Sequence, residues 1–217
     1  MSTQKESPVV LSKQALQRMP FYLQYLKKLS CEGQCIIAAP AVAEALSLNE
    51  VQVRKDFAAV SSTRGKPKTG FVVPDLIADM ETFLGYRNVN EAVLVGAGSL
   101  GKALLSYKGF DDYGIKIAMA FDANEQVIGG EIFGKRIFSV TQLSDLCRRM
   151  RINIGIITVP APQAQSVCDS LVAGGVRAIW NFAPAHLSAP AHILIQNENM
   201  AASLALLSKH LNDQIGR

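Results

Sequence analysis

Histidine, cysteine and long apolar runs are scarce in this chain, and each shortage closes off a class of function. Only three histidines occur among 217 residues, and His186 and His192 fall in the proline-bounded loop "APAHLSAPAHI" while His210 lies near the C-terminus. None has an orienting partner nearby in sequence, so they read as surface or packing residues rather than acid–base groups. Of the four cysteines only Cys31 and Cys35 are close, at a C-x3-C spacing with no second pair and no neighbouring histidine. That is no zinc site, and the thiols read as reduced and structural. No run approaches the roughly 18 apolar residues needed to span a bilayer, and "MSTQKESPVV" has no apolar core of a secretory signal, so a cytoplasmic location is expected.

Hydrophobic residues make up 49% of the chain and charged residues 18%, enough apolar material for a real core in one large or two small domains. The net charge of +4 is modest, but its distribution is not. Between Arg54 and Gly70 stand Arg54, Lys55, Arg64, Lys66 and Lys68 against the single acid Asp56, a net charge equal to that of the whole chain.

The chain is written in two grammars. From Ser12 to Gly85 the pattern is helical. Pro20 opens "PFYLQYLKKL", where Tyr22, Leu23, Leu26 and Leu29 recur near the helical period. A short helix from about Pro40 to Leu46, a tight Ser47–Leu48 turn, an Asn49 N-cap and a helix through Val60 have helix-turn-helix spacing. "STRGKPKTGFVV" suits a two-stranded hairpin with a basic tip, and Pro74 starts a further helix that Gly85 ends. Residues 1–85 are thus expected to form a winged helix-turn-helix domain. From Ala92 on, the apolar strands "AVLV", "IKIAMAF", "INIGIITV" and "VRAIW" alternate with helices near 99–106, 141–150 and 162–173. Such alternation predicts a Rossmann-like, doubly wound parallel sheet over residues 86–217, an α/β fold. A terminal helix over 199–213 carries Met200, Leu204, Leu207 and Leu211 as an apolar stripe, which packs either on its own domain or on a second subunit by exchange.

In "EAVLVGAGSLGKALLSYKGF" the residues Gly96, Ala97, Gly98, Ser99, Leu100 and Gly101 give a G-x-G-x-x-G turn that follows a strand and opens a helix. Asp122 ends the next strand, 21 residues past Gly101. Together these predict dinucleotide binding: Gly96 for the turn, Gly98 for close approach of backbone to pyrophosphate, Gly101 for helix packing, and Asp122 for the adenine-side ribose. The Asp122 carboxylate repels a 2′-phosphate and "ANEQ" supplies no arginine, so NAD is favoured over NADP. Thr158, Val159 and Pro160 end another strand on the ligand-binding side of such a sheet.

A dehydrogenase needs a substrate pocket and a proton donor, and once the strands are assigned almost no chain remains to build them. The N-terminal region instead resembles a DNA reader. On a helical wheel Val53, Phe57 and Val60 face inward, while Val51, Lys55 and Ala58 face out, flanked by Gln52, Arg54 and Ala59. Gln52, Arg54 and Lys55 can reach base edges and phosphates, and Arg64, Lys66 and Lys68 would add phosphate contacts. An NAD-dependent oxidoreductase with a helical appendage, or a coenzyme A-binding module, are the alternatives. The latter draws on "ITVPAPQAQSVCDSLVAGGV", which looks like part of succinyl-CoA ligase α subunits.

The segments "PFYLQYLKKL", "EVQVRKDF", "GFVVPDLI", "VGAGSLGKALLSYKGF", "AFDAN" and "GIITVPAPQAQSVCDSLVAGGVRAIWNFAP" make the chain resemble the Rex family of redox-sensing transcriptional repressors over nearly its whole length. The resemblance implies a homodimer that binds AT-rich palindromic operators with NAD+ or no ligand and releases them with NADH. It further implies that residues 20–59 (Pro20 to Ala59) read DNA, that the terminal helix reaches into the partner, and that Tyr107 and Phe110 lie near the nicotinamide. Asn199 stands where many members have aspartate, and Pro67–Lys68 stands in the wing where many have Arg-Gly. Since NAD+ carries a positive ring charge that NADH lacks, an apolar site made by Tyr107, Phe110, Val159 and Pro160 would prefer the reduced ring.

Overall fold

The computed structural model describes residues 11–63, 70–86 and 90–215, and the chain divides into two compact units, residues 1–88 and residues 89–217. In the first unit, helix α1 (Lys13–Cys31) starts on Ser12, whose side chain accepts from the Ala15 N–H. Sequence periodicity put this start at Pro20, yet Pro20 lies inside the helix. The Ser12 cap, and burial of Ala15 and Met19 on the same stripe as Tyr22, Leu26 and Leu29, carry α1 past the hydrogen bond that proline cannot donate.

Strand β1 (Ile36–Ile37) precedes helix α2 (Ala39–Ala45); Ser47 then turns with φ 53°, and Asn49 caps helix α3 (Glu50–Val60) by accepting from the Gln52 N–H. Strand β2 (Phe71–Val72) runs into helix α4 (Val73–Phe83), after which Gly85 takes φ 73°. The hairpin read within "STRGKPKTGFVV" falls largely on residues 64–69, outside the described residues; among those described, β2 pairs antiparallel with β1, Ile36 opposite Val72 and Ile37 opposite Phe71. Two residues before α2 had no visible period, so the distant pairing left no signature. Phe57 is fully buried and meets Tyr22 and Phe71 edge-to-face, each at 5.3 Å, which locks α3 onto α1 and β2.

The second unit is a seven-stranded sheet. Its strands are β3 (Asn90–Val95), β4 (Ile115–Asp122), β5 (Glu131–Ile132), β6 (Lys135–Ser139), β7 (Ile154–Ile157), β8 (Ala178–Asn181) and β9 (Leu194–Asn197), in the order β5-β6-β4-β3-β7-β8-β9. All neighbours pair in parallel except β5 with β6. Counting the six parallel strands alone gives 3-2-1-4-5-6, the doubly wound order. Helices α5 (Ser99–Ser106), α6 (Leu143–Met150) and α7 (Ala161–Ala173) fall where periodicity predicts them. The β5–β6 hairpin and β9 were not named from sequence: β5 has two residues, and "KRIFS" and "LIQN" mix polar with apolar side chains where β3, β4 and β7 are apolar runs.

Central strands β3 and β4 are buried on both faces, with Val93, Val95 and Phe121 on one side and Ala92, Leu94 and Ala120 on the other. Helix α8 (Met200–Ile215) is different. Met200, Leu204, Leu207 and Leu211 are all more than half exposed, so the stripe does not pack on its own domain.

Candidate functional site

The chain crosses from one half of the sheet to the other between β3 and β7, so the loops after these two strands open a crevice at the carboxyl edge. Gly96 leaves β3 with φ 104°, a conformation that L-residues rarely adopt, and a Cβ there would stand 2.9 Å from the Thr158 carbonyl carbon. Gly101 is packed just as closely, since a Cβ would drive into the Gly96 carbonyl oxygen. Gly98 differs from both. Its φ of −70° suits any residue and nothing lies within 4 Å of where its Cβ would be, so neither backbone nor packing requires glycine there. The open space sits at the N-terminus of α5, whose first turn no side chain caps. Exposed N–H groups and clear approach fit a pyrophosphate.

The Asp122 carboxylate lies beside the same turn, one oxygen accepting from the Ala97 N–H at 2.7 Å and the other from the Asn124 N–H at 2.8 Å. Each oxygen keeps acceptor capacity for a ribose hydroxyl. Opposite, the Thr158 hydroxyl donates to the carbonyls of Val95 (3.0 Å) and Gly96 (2.7 Å), while the Val159 side chain borders Gly96. The structure therefore brings Gly96–Gly101, Asp122, Thr158 and Val159 to one crevice, with Pro160 leading into α7.

Tyr107 and Phe110 line a pocket of about 210 Å³ with Ile115, Ile117 and Phe133. Phe110 joins a row of edge-on and tilted rings: Tyr107 at 5.0 Å, Trp180 at 5.9 Å, then Phe182 at 4.5 Å from Trp180. The Trp180 indole donates to Glu198 at 3.1 Å, just before α8. Sequence reading put Tyr107 with Phe110 but missed Trp180 and Phe182, because Trp180 lies 70 residues beyond Phe110 and the two meet only in the folded domain.

Within the first unit α3 presents Val51, Arg54, Lys55 and Ala58 to solvent, while Val53 and Phe57 are fully buried. Arg54 pairs with Glu50 one turn back, and Lys55 forms no ion pair among the described residues. Arg64, Lys66 and Lys68 lie outside the described residues. Gln52 is half-buried, and its amide donates to Asp56 at 2.8 Å.

Asp56 is the residue that sequence reading passed over. Only 2% exposed, its carboxylate also accepts from Arg18 Nε (2.9 Å) and Nη2 (3.2 Å) and from the Tyr22 hydroxyl (2.9 Å). Burial, with Asp56 beside it, pushes the Tyr22 phenol up to about 12. The available signal was an acid lying between Val53 and Phe57 on the inward side of the wheel, with Arg18 and Tyr22 one helical turn apart on α1.

Two family descriptions match the chain: "Putative DNA-binding protein N-terminus" over residues 10–58 and "CoA binding domain" over residues 88–185. The redox-sensing transcriptional repressor Rex of Porphyromonas gingivalis is 38% identical over 192 residues, covering 88% of each chain. That of Treponema denticola is 36% identical over 198 residues, covering 91% of this chain and 94% of its own. The chain belongs to the Rex family of redox-sensing transcriptional repressors. Among solved structures, the Rex-family repressor RSP in complex with NAD+ and operator DNA matches with a TM-score of 0.89 at 29% identity, covering 94% of both chains. RSP in complex with NADH matches with a TM-score of 0.82 at the same identity, covering 94% of this chain and 96% of its own. Rex-family proteins are repressors rather than enzymes. Among the described residues, no helix is long and apolar enough to cross a membrane.

Proposed function

We propose that this Rex-family chain is a homodimeric repressor that binds AT-rich palindromic operators through α3 and the adjoining basic segment with NAD+ or no ligand, and leaves them when NADH occupies the crevice at β3 and β7. The observation that carries the reading is the Gly98 position: a glycine that neither fold nor packing needs, at an uncapped helix N-terminus, beside a carboxylate suited to a ribose diol. A coenzyme A reading fits less well, because a ribose phosphate would meet the Asp122 carboxylate. Lys55, Lys66 and Lys68 supply phosphate contacts, and Arg54 exchanges Glu50 for the DNA backbone. Tyr107 and Phe110 lie near the nicotinamide and act through the aromatic row that leads to Trp180 and Glu198, at the root of α8.

The second subunit is called for by α8. A stripe of large apolar side chains at three- and four-residue spacing, open to water along a 16-residue helix, needs a covering surface, and a second copy offers one at matched concentration. Sedimentation should give a dimer, and Leu204→Glu with Leu207→Glu a monomer.

The test is fluorescence anisotropy of a labelled AT-rich palindrome with NADH, NAD+ or neither, together with NADH titration with and without operator. Linkage demands that DNA weaken NADH binding by the factor by which NADH weakens DNA binding. Equal operator affinity in all three states would overturn the reading. Lys55→Ala should lower operator affinity and shallow its dependence on salt by about one counterion, with NADH binding intact.

A further inference from the structure

On the reading of α3 as the DNA-reading helix, we infer that Asp56 is a positioning residue that fixes the Gln52 amide so that its free edge reads adenine. Gln52 stands in the first turn of α3, directly after the Asn49 cap, where recognition helices touch base edges. Asp56 is a full acceptor: one oxygen takes Arg18 Nε and the Tyr22 hydroxyl, the other takes Arg18 Nη2 and Gln52 Nε2. An ionised carboxylate has no hydrogen to give, so it meets the nitrogen end of the amide and excludes the flipped orientation.

That contact consumes one of the two amide hydrogens. What remains is the Oε1 acceptor and the second N–H, side by side on one planar group. Adenine presents N7 as acceptor and the N6 amine as donor in the major groove, the complement of that pair. Guanine presents two acceptors, and its O6 would face Oε1. Gln52 thus arrives with its amide rotation already restricted and one orientation excluded before DNA binds. Val51, 60% exposed on the same turn, sets an apolar side chain beside this edge, suited to a thymine methyl group.

The experiment uses the full chain and a labelled AT-rich palindrome in which each adenine in turn is replaced symmetrically by 7-deaza-adenine, lacking N7, or by unsubstituted purine, lacking the N6 amine. One adenine per half-site should be sensitive to both replacements, each weakening binding roughly 5- to 150-fold, and Gln52→Ala should be indifferent to both at that adenine. Asp56→Asn should weaken operator binding at least about fivefold more than it weakens binding to random-sequence DNA, since it loosens the reader rather than the phosphate contacts. Equal losses on the two DNAs would make Asp56 a merely structural residue and overturn the inference. If Asp56→Asn does not fold, the base-analogue pattern decides: retention of the double sensitivity in Gln52→Ala overturns the inference while leaving the repressor function standing. Failure of the wild-type chain to bind any of the DNAs removes both.

Discussion

Replacing Arg18 by methionine keeps most of the side-chain stem and removes the cation, which isolates the electrostatic part of its role. The carboxylate it leaves is 2% exposed and loses two of its four hydrogen bonds, together with its only partner of opposite charge among the described residues. Breaking a buried ion pair from one side costs about 3–5 kcal/mol. Here Arg18 itself is 22% exposed, water can follow it in, and Tyr22 and Gln52 still donate, so we expect about 2–3 kcal/mol. In a chain of this length that lowers the thermal midpoint by roughly 4–12 °C. Urea denaturation at pH 7 followed by far-ultraviolet circular dichroism measures it directly. The double variant Arg18→Met, Asp56→Asn removes the stranded charge, and should be less destabilised than the sum of its single variants by more than about 1 kcal/mol. A loss below about 0.5 kcal/mol for Arg18→Met would class the bridge with exposed pairs and refute the argument from burial.

The Tyr22 phenol is raised to about 12 from its ordinary 10, so its contribution to stability is intact below pH 10 and is lost as pH rises through 12. Denaturation curves from pH 9 to 12 should show wild type losing up to about 2–3 kcal/mol more than Tyr22→Phe, and parallel curves would contradict the assignment. Gly98→Ala should leave the melting temperature within about 2 °C of wild type and weaken NADH binding at least about tenfold, because the added methyl meets only ligand. Gly101→Ala, whose methyl meets the Gly96 carbonyl, should instead destabilise by more than about 2 kcal/mol. Calorimetry and thermal melts on the pair decide it, and the reverse order of effects would sink the account of the turn.

Much of the architecture was legible because it is locally written. Strands buried on both faces, such as 92–95 and 117–121, appear as unbroken apolar runs, and helices α5 to α7 fall at the expected period. Asn49, Gly85 and Gly96 announce their roles through backbone chemistry that few other residues can supply. The β1–β2 pairing, by contrast, joins residues 34 and 36 positions apart through two-residue strands, and no periodicity reaches that far. Helix α1 was cut short in the sequence reading because a proline outweighed a capping serine.

The candidate site divides along the same line. Gly96, Gly98, Gly101 and Asp122 could be assigned from spacing, since the strand–turn–helix unit fixes where they point. Gln52 was assigned to solvent from its place on the wheel, whereas its amide turns back to a buried acid. Phe110, with Tyr107 against it, meets Trp180 through the fold and not because the two are near in sequence.

The amino-acid order alone therefore determined that a helical reader precedes a dinucleotide fold, because period, caps and the glycine turn are properties of neighbouring residues. Only the tertiary structure decided that Asp56 is shared by Arg18, Tyr22 and Gln52, that glycine at 98 serves no structural need, and that α8 leaves its apolar stripe uncovered. Each of these depends on which surfaces meet across the fold, and burial of a charge or exposure of a leucine acquires meaning only once those partners are in place.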